Sequence, residues 1–72
     1  MSDSVYKIIN LVGTSPVSWE EAAKAAVETA GRNLRDLRVA EVIKLDMKVD
    51  DGKVVAYRAR VAVSFKIESA VD

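Results

Sequence analysis

The chain has 72 residues, half of them hydrophobic but only 6% aromatic, with 11 basic and 11 acidic residues and no cysteine. The balanced charge provides no net field that would favour nucleic acid or an anionic membrane, and the lack of cysteine excludes disulfides and thiolate metal sites. Because a single domain of this size buries only about 60% of its unfolded surface, we expect it to gain stability as a homo-oligomer.

The first predicted element is a strand over residues 5–12, which is rich in β-branched and aromatic residues. It ends at Gly13-Thr14-Ser15-Pro16, a dense turn signal. No basic region precedes a long apolar stretch, and nowhere are there ~18 consecutive apolar residues. These features fit a cytoplasmic protein.

A helix is predicted to begin after Ser18, because Glu21 follows three residues later and completes a capping box. Apolar positions then recur at i, i+3, i+4 and i+7, the spacing of one buried stripe. They are Trp19, Ala22, Ala23, Ala26, Val27, Ala30 and Leu34. Most are alanine, so the helix, over residues 19–34, is expected to lie close to a sheet, with Trp19 in the core.

Two long β-rich runs, residues 37–49 and 54–67, flank Asp50-Asp51-Gly52-Lys53, and Asp-Gly is a strong signal for a tight hairpin turn. The element order is therefore β-α-β-β. No internal repeat, low-complexity stretch or linker interrupts it, so residues 1–72 are expected to form a single domain.

The register of this hairpin depends on the length of its turn. A two-residue turn of Asp51 and Gly52 predicts three cross-strand pairs: Asp50 with Lys53, Leu45 with Arg58, and Val39 with Ser64. One face would then carry Val39, Ile43, Leu45, Met47 and Val49 beside Arg58 and Arg60. The other face, suited to pack on the helix, would carry Tyr57, Val61, Val63 and Phe65.

A three-residue loop is the alternative, and it would shift the pairing by one position. It would gather the odd-numbered apolar residues of both strands on one side and leave the other side polar. The two-residue turn is favoured, because two partly apolar faces match the expected self-association.

The order of the elements and several short segments resemble the dodecins over residues 5–67. The segments are Val5-Tyr6-Lys7, Val12-Gly13-Thr14-Ser15, the alanine-rich helix, Ala40-Glu41-Val42 and Val63-Ser64-Phe65. The resemblance implies an α+β fold in which a three-stranded antiparallel sheet wraps on one helix. It also implies a hollow dodecamer that binds or stores a small ligand, with helices outside and curved sheets facing inward.

Flavin-binding dodecins stack isoalloxazine rings on a tryptophan and hold the polar ring edge with a glutamine, so the resemblance implies a site for FMN or riboflavin. The positions that match these two residues are Val39 and Arg58. Valine has no aromatic face for stacking, and arginine has donors but no acceptor. Flavin binding is therefore expected to be weakened or lost.

Calcium binding is the alternative function. The segments Ser18-Trp19-Glu20, Arg38-Val39-Ala40, Asp46-Met47 and Tyr57-Arg58 resemble a dodecin branch described as calcium-binding. Calcium takes six to eight oxygen ligands, and without an EF-hand loop a subunit interface would have to assemble them from several chains. Candidate metal ligands are Glu20, Asp46 and Glu41.

The other acidic residues have structural explanations. Glu21 belongs to the capping box, and Asp50 and Asp51 are residues that a hairpin turn favours. For Glu41, an ion pair at a subunit contact is favoured over metal ligation, since the predicted register places it on the face that carries Arg58 and Arg60.

Catalysis finds no support in the sequence. The chain has no His, no Cys and no glycine-rich phosphate loop, so a non-enzymatic protein is expected. Arg58, Arg60 and Lys66 alternate along the last strand, where a solvated or ion-paired face is favoured over a phosphate site. A further alternative is an assembly protein with no physiological ligand.

Overall fold

A computed structural model describes residues 3–67 and contains four elements. They are β1 (Val5–Ser15), α1 (Trp19–Asn33), β2 (Leu37–Asp50) and β3 (Lys53–Ile67). The strands form one antiparallel sheet in the order β1-β3-β2. This confirms the predicted β-α-β-β fold. Within the described range, no helix is long and apolar enough to cross a membrane.

Strand β1 is longer than predicted, because three residues that were assigned to the turn belong to the strand. Gly13, Thr14 and Ser15 continue the pairing with β3, and Ser15 lies opposite Tyr57. The chain leaves the sheet at Pro16, whose ring cannot donate to a ladder. Ser15 stabilises the short segment between β1 and α1, because its Oγ accepts from the backbone N–H of Val17 at 3.0 Å.

Helix α1 begins where the capping pattern predicts. Ser18 has extended backbone angles, and its Oγ accepts from the backbone N–H of Glu21 at 3.1 Å. At the other end the N–H of Leu34 donates to the carbonyl of Ala30, so the helix stops at Asn33, one residue before the predicted end. Asp36 then takes a left-handed conformation with φ of 58° and turns the chain into β2.

The core is small and lies between α1 and β3. Among the residues that the structure describes, six hydrophobic ones are buried there: Ala22, Ala26, Ala30, Ala59, Val61 and Val63. Alanines on the helix and the absence of a side chain at Gly13 on β1 together allow a close approach. A Cβ added at Gly13 would lie 2.0 Å from the carbonyl oxygen of Ala22. The helix therefore packs directly on the backbone of β1.

The two-residue turn is confirmed, but the pairing beyond it differs from the prediction. Asp51 and Gly52 have φ of 52° and 74°, as a type I′ turn requires, and Asp50 faces Lys53. An extra residue in β3, Val55, then shifts the register by one. Asp46, not Leu45, therefore lies opposite Arg58.

A second irregularity reverses this shift farther along the hairpin. Ile43 is an extra residue in β2, between the pairs Val42–Val61 and Lys44–Arg60. The predicted pair of Val39 and Ser64 is consequently correct. Between the two irregularities the prediction was wrong about the faces, since Leu45 and Met47 pair with Ala59 and Tyr57 on the side of the sheet that faces α1.

The opposite side of the sheet, which we call the open face, is covered by no helix of residues 3–67. The register places Val39, Glu41, Lys44 and Asp46 of β2 there, together with Arg58, Arg60, Ser64 and Lys66 of β3. This arrangement confirms that Glu41 shares a face with Arg58 and Arg60.

Much apolar surface remains exposed along the edge strands. Among the larger exposed side chains of β2 are Val39, Val42, Ile43, Leu45, Met47 and Val49, each 46–60% exposed. Isolated apolar residues are common on protein surfaces, but several of them on both faces of one edge strand indicate an interaction surface.

Candidate functional site

An ion pair joins the two strands of the hairpin on the open face. The guanidinium of Arg58 donates from Nε to Oδ1 of Asp46 at 2.7 Å, and from Nη2 to Oδ2 at 3.0 Å. Both carboxylate oxygens are therefore engaged by one planar group, the geometry in which such pairs are strongest. Asp46 and Arg58 are direct cross-strand partners, so the ion pair depends on the register shift at Val55.

The charges around Asp46 favour its ionised form. The hydrogen bonds from Arg58 hold the pKa of Asp46 below its ordinary value of 3.8, although desolvation acts in the opposite direction. The charge of Arg58 and those of two other cations on the open face, Arg60 and Lys44, lower this pKa further. Conversely, the hydrogen bond with Asp46 raises the pKa of Arg58.

Trp19 connects the start of the helix to this ion pair. Its indole Nε1 donates to the backbone carbonyl of Asp46 at 3.0 Å, and its ring meets that of Tyr57 edge to face with centroids 5.2 Å apart. Trp19 is partly buried and lies at the margin of the helix–sheet contact, outside the set of fully buried residues. Its interpretation as a core residue therefore needs correction: it anchors α1 to β2.

The two positions that match the flavin site of the family lie far apart within one chain. Val39 is opposite Ser64, whereas Arg58 is six residues away along β3, a distance of ~20 Å at the usual rise per residue. Val39 is exposed, and its carbonyl accepts from the Ser64 hydroxyl at 3.3 Å. Any pocket that uses both positions would have to combine different chains.

The three candidate metal ligands are also separated. Glu20 is in the first turn of α1, beside an apolar groove of about 540 Å³ whose other lining residues are Trp19, Ala23, Val42 and Leu45. Glu41 is exposed on the open face, and Asp46 is held by Arg58. Across residues 3–67 no three acidic side chains lie close enough together to hold a metal ion.

Each of these carboxylates is nevertheless a suitable oxygen donor for calcium. Glu20 and Glu41 are exposed, and the Asp46 side chain is 46% exposed, so all three can be reached by an ion in solution. Calcium requires six to eight oxygens at 2.3–2.6 Å. One chain fits calcium only as the source of part of that set, and other chains, backbone carbonyls or water would supply the remainder.

The structure adds a cation that was not recognised in the sequence. Lys44 lies directly opposite Arg60, so three cations, Arg58, Arg60 and Lys44, lie near the carboxylate of Asp46 on the open face. Lys66, grouped with Arg58 and Arg60 in the sequence, pairs instead with Tyr6 at the far end of β3. No local pattern pointed to Lys44, because its position depends on the shifted register.

Comparisons with known proteins agree with the fold. The family model for dodecin matches residues 5–68. The chain is 51% identical over 67 residues to calcium dodecin of Mycobacterium tuberculosis, covering 93% of this chain and 94% of that protein. It is 36% identical over 64 residues to dodecin of Thermus thermophilus, covering 89% and 93% of the two chains.

The solved structures that superimpose on this chain are also dodecins. Dodecin from Streptomyces coelicolor superimposes with a TM-score of 0.88 at 31% identity, over 97% of this chain and 100% of that one. The crystal structure of the M. tuberculosis calcium dodecin, described as calcium chelating with a novel calcium-binding site, superimposes with a TM-score of 0.80. That match is 51% identical and covers 93% of this chain and 96% of the other.

Proposed function

Because this chain belongs to the dodecin family, we propose that it is a non-enzymatic, self-assembling binding protein whose ligand is calcium and not flavin. The sequence favoured a small-ligand dodecin with weakened flavin binding and kept calcium as the alternative. The 51% identity over 93% of the chain with a protein named calcium dodecin supports that alternative.

The choice of calcium over flavin rests on the ion pair that Arg58 forms with Asp46. Both carboxylate oxygens of Asp46 hold its guanidinium, so Nε and Nη2 already have partners. An arginine also offers no acceptor to the donor atoms of a flavin edge. Val39, at the other position implied by the family, has no ring for stacking. Both departures act against flavin, and they involve neither Glu20 nor Glu41.

Assembly into a dodecamer is part of the proposal. The described residues bury only six hydrophobic side chains, whereas the edge strand β2 exposes apolar side chains on both of its faces. A second exposed groove, of about 510 Å³, runs between β1 and α1 and is mainly apolar. Covering these surfaces with other copies of the chain would remove apolar area from water, at roughly 25 cal/mol per Å².

We place the calcium site between subunits, with carboxylate donors drawn from Glu20, Glu41 and Asp46. This placement follows from the separation of the acidic residues, because no cluster of three exists within the part of the chain that the structure describes. Repetition of one or two donors by symmetry can complete an oxygen shell that a single chain cannot.

Two titrations of metal-free protein test the proposal. Calorimetry with CaCl₂, with magnesium as the control ion, should give saturable heat, and the melting temperature should rise with calcium and fall again after EDTA. Addition of FMN at stoichiometric ratio should leave flavin fluorescence largely unquenched. Sedimentation should give the mass of twelve chains.

The contrary results are equally specific. Strong quenching of FMN fluorescence would show that flavin is a ligand. If calcium gives no heat, FMN fluorescence is unquenched and the assembly is intact, the chain would be an assembly protein without a ligand. A folded, non-associating monomer at micromolar concentration would remove the basis of the whole proposal.

A further inference from the structure

We propose that Lys44 and Arg60, which lie opposite each other on the open face, form a binding site for a small oxyanion of the phosphate class. The proposal goes beyond calcium binding and does not depend on it, because no carboxylate ligand takes part. It concerns the cations that remain on this face once the ion pair of Asp46 and Arg58 is accounted for.

Lys44 and Arg60 are a like-charge pair in the middle of the hairpin. They are direct cross-strand partners, so their Cβ atoms are about 5 Å apart and both side chains leave the sheet on the same side. Like charges at such positions destabilise a sheet. Neither residue forms an ion pair within residues 3–67. An anion bound between the two side chains therefore removes a repulsion in addition to the attractions that it gains.

The nearby carboxylates do not neutralise this pair. Both oxygens of Asp46 are already engaged by Arg58, at 2.7 and 3.0 Å. Glu41 shares the open face but lies opposite Ala62, on the far side of the extra residue Ile43. Within the described range Glu41 forms no ion pair. The charges of the lysine and the arginine are thus left without a carboxylate partner.

The excess of positive charge is local, because the whole chain has 11 basic and 11 acidic residues. Arg58, Arg60 and Lys44 all lie close enough to Asp46 to lower its pKa. Three cations against one carboxylate leave two positive charges uncompensated. A phosphate group carries roughly −1.5 to −2 at pH 7, so a single such group matches this excess.

The two side chains also supply suitable donors for a phosphate group. The guanidinium of Arg60 is a planar fork of N–H groups that can bind two oxygens at once. The ammonium of Lys44 adds up to three donors from the neighbouring strand. Both residues are exposed, so a dissolved anion can reach them. Because neither side chain carries an acceptor, the pair selects a ligand with several acceptor oxygens.

The structure changes which cations of the open face belong together. Arg58 and Arg60 alternate with Lys66 along β3, but Arg58 is held by Asp46. Lys66 lies six residues from Arg60, a distance of ~20 Å at the usual rise per residue. That separation exceeds the screening length of about 10 Å in 0.1 M salt. Lys66 is therefore a matched control, a cation on the same face that lies outside the site.

The experiment is calorimetry with inorganic phosphate on the assembled, calcium-free protein at pH 7 in about 0.1 M NaCl. Wild type should give saturable heat. Lys44→Gln and Arg60→Gln should each bind phosphate at least about tenfold more weakly, the factor expected for one lost charge-assisted hydrogen bond. Lys66→Gln removes the same charge from the same face and should change the affinity less than about twofold.

A parallel titration with glycerol 3-phosphate distinguishes two sources of the phosphate group. Tighter binding than that of inorganic phosphate would assign the site to the phosphate group of a larger molecule. Equal or weaker binding would assign it to the free ion. Both results uphold the proposal.

Three results would overturn it. The first is the absence of saturable heat from both probes, which would indicate that carboxylates of other copies neutralise the two cations in the assembly. The second is an unchanged affinity in Lys44→Gln or Arg60→Gln. The third is an equal loss in Lys66→Gln, which would show a general electrostatic field and no site. Phosphate binding by a protein that gives no heat with calcium would leave this site in place and remove the calcium function.

Thermal stability covers the case in which Arg60→Gln does not fold or assemble, which circular dichroism and sedimentation would reveal. The melting temperature of wild type should rise with low-millimolar phosphate but not with NaCl of the same ionic strength, because chloride only screens the repulsion. The rise should disappear in Lys44→Gln and persist in Lys66→Gln. An equal rise with NaCl, or in Lys44→Gln, would contradict a phosphate site.

Discussion

Gly13 of β1 and Ala22 of α1 are in backbone contact, and a Cβ at Gly13 would lie 2.0 Å from the Ala22 carbonyl oxygen and 3.0 Å from the Ala26 Cβ. The nearest atom belongs to the helix backbone and cannot move aside as a flexible side chain would. The separation of helix and sheet is therefore limited by the absence of a side chain at position 13.

The first prediction follows from this contact. Gly13→Ala should destabilise the protein by about 3 kcal/mol, because α1 must be displaced from the sheet. Gly31→Ala is the matched control: an added Cβ there would meet nothing nearer than Leu37 Cδ2 at 4.0 Å. Because Gly31 lies in the last turn of α1, that change should stabilise by at most ~1 kcal/mol. Melting temperatures at one fixed protein concentration compare the two, and equal effects would contradict the packing described.

The second prediction concerns the indole hydrogen bond. Trp19→Phe keeps an aromatic ring against Tyr57 but removes the donor to the Asp46 carbonyl, so the free energy of unfolding should fall by about 1 kcal/mol. Tyr57→Phe retains both the ring contact and the indole bond and serves as the control. Denaturant unfolding measures both variants. A Trp19→Phe protein as stable as wild type would show that the bond to β2 does not anchor the helix.

The third prediction is the pH dependence that Asp46 adds to stability. Its pKa is lower in the folded protein than the ordinary value of 3.8, so its contribution is complete above that value. The contribution is lost as the pH falls below 3.8 and through the lower folded pKa. Asp46→Asn should therefore be less stable than wild type at pH 7, and the difference should shrink in acid.

Melting curves between pH 2 and pH 7 provide the measurement for Asp46→Asn. Glu41→Gln is the control, since it removes a carboxylate from the same face that forms no ion pair within the described residues. The stability gap between Glu41→Gln and wild type should vary much less with pH. A gap for Asp46→Asn that widens toward acid would have the wrong sign and would refute the role of the ion pair.

The fourth prediction tests what prevents flavin binding. Val39→Trp alone should leave FMN fluorescence nearly unquenched, because Asp46 still holds Arg58 and no acceptor is present at position 58. Val39→Trp/Arg58→Gln should quench it, because the stacking ring and the amide implied by the family are then both present. Strong quenching by the single variant would show that Arg58 is no obstacle.

The sequence was sufficient wherever structure depends on neighbouring residues. Ser18 and Glu21 identified the start of the helix, and the alanine spacing identified the face that packs on the sheet. Asp51 and Gly52 identified a two-residue turn, because both can adopt positive φ. The family resemblance could also be recognised from the sequence, and so could the match of Val39 and Arg58 to the flavin-site positions. Both depend only on the order of residues along the chain.

What the sequence could not determine depends on contacts between distant segments. The turn fixes the first pairs of the hairpin, but Val55 and Ile43 each add a residue to one strand, and no local signal marked either position. The ion pair of Asp46 and Arg58 and the location of Lys44 opposite Arg60 follow from the extra residue Val55, and Ile43 reverses the shift beyond them. The sequence thus determined the elements and the family, and the tertiary structure decided which charges meet, because a shift of one residue in a strand turns each side chain to the opposite face.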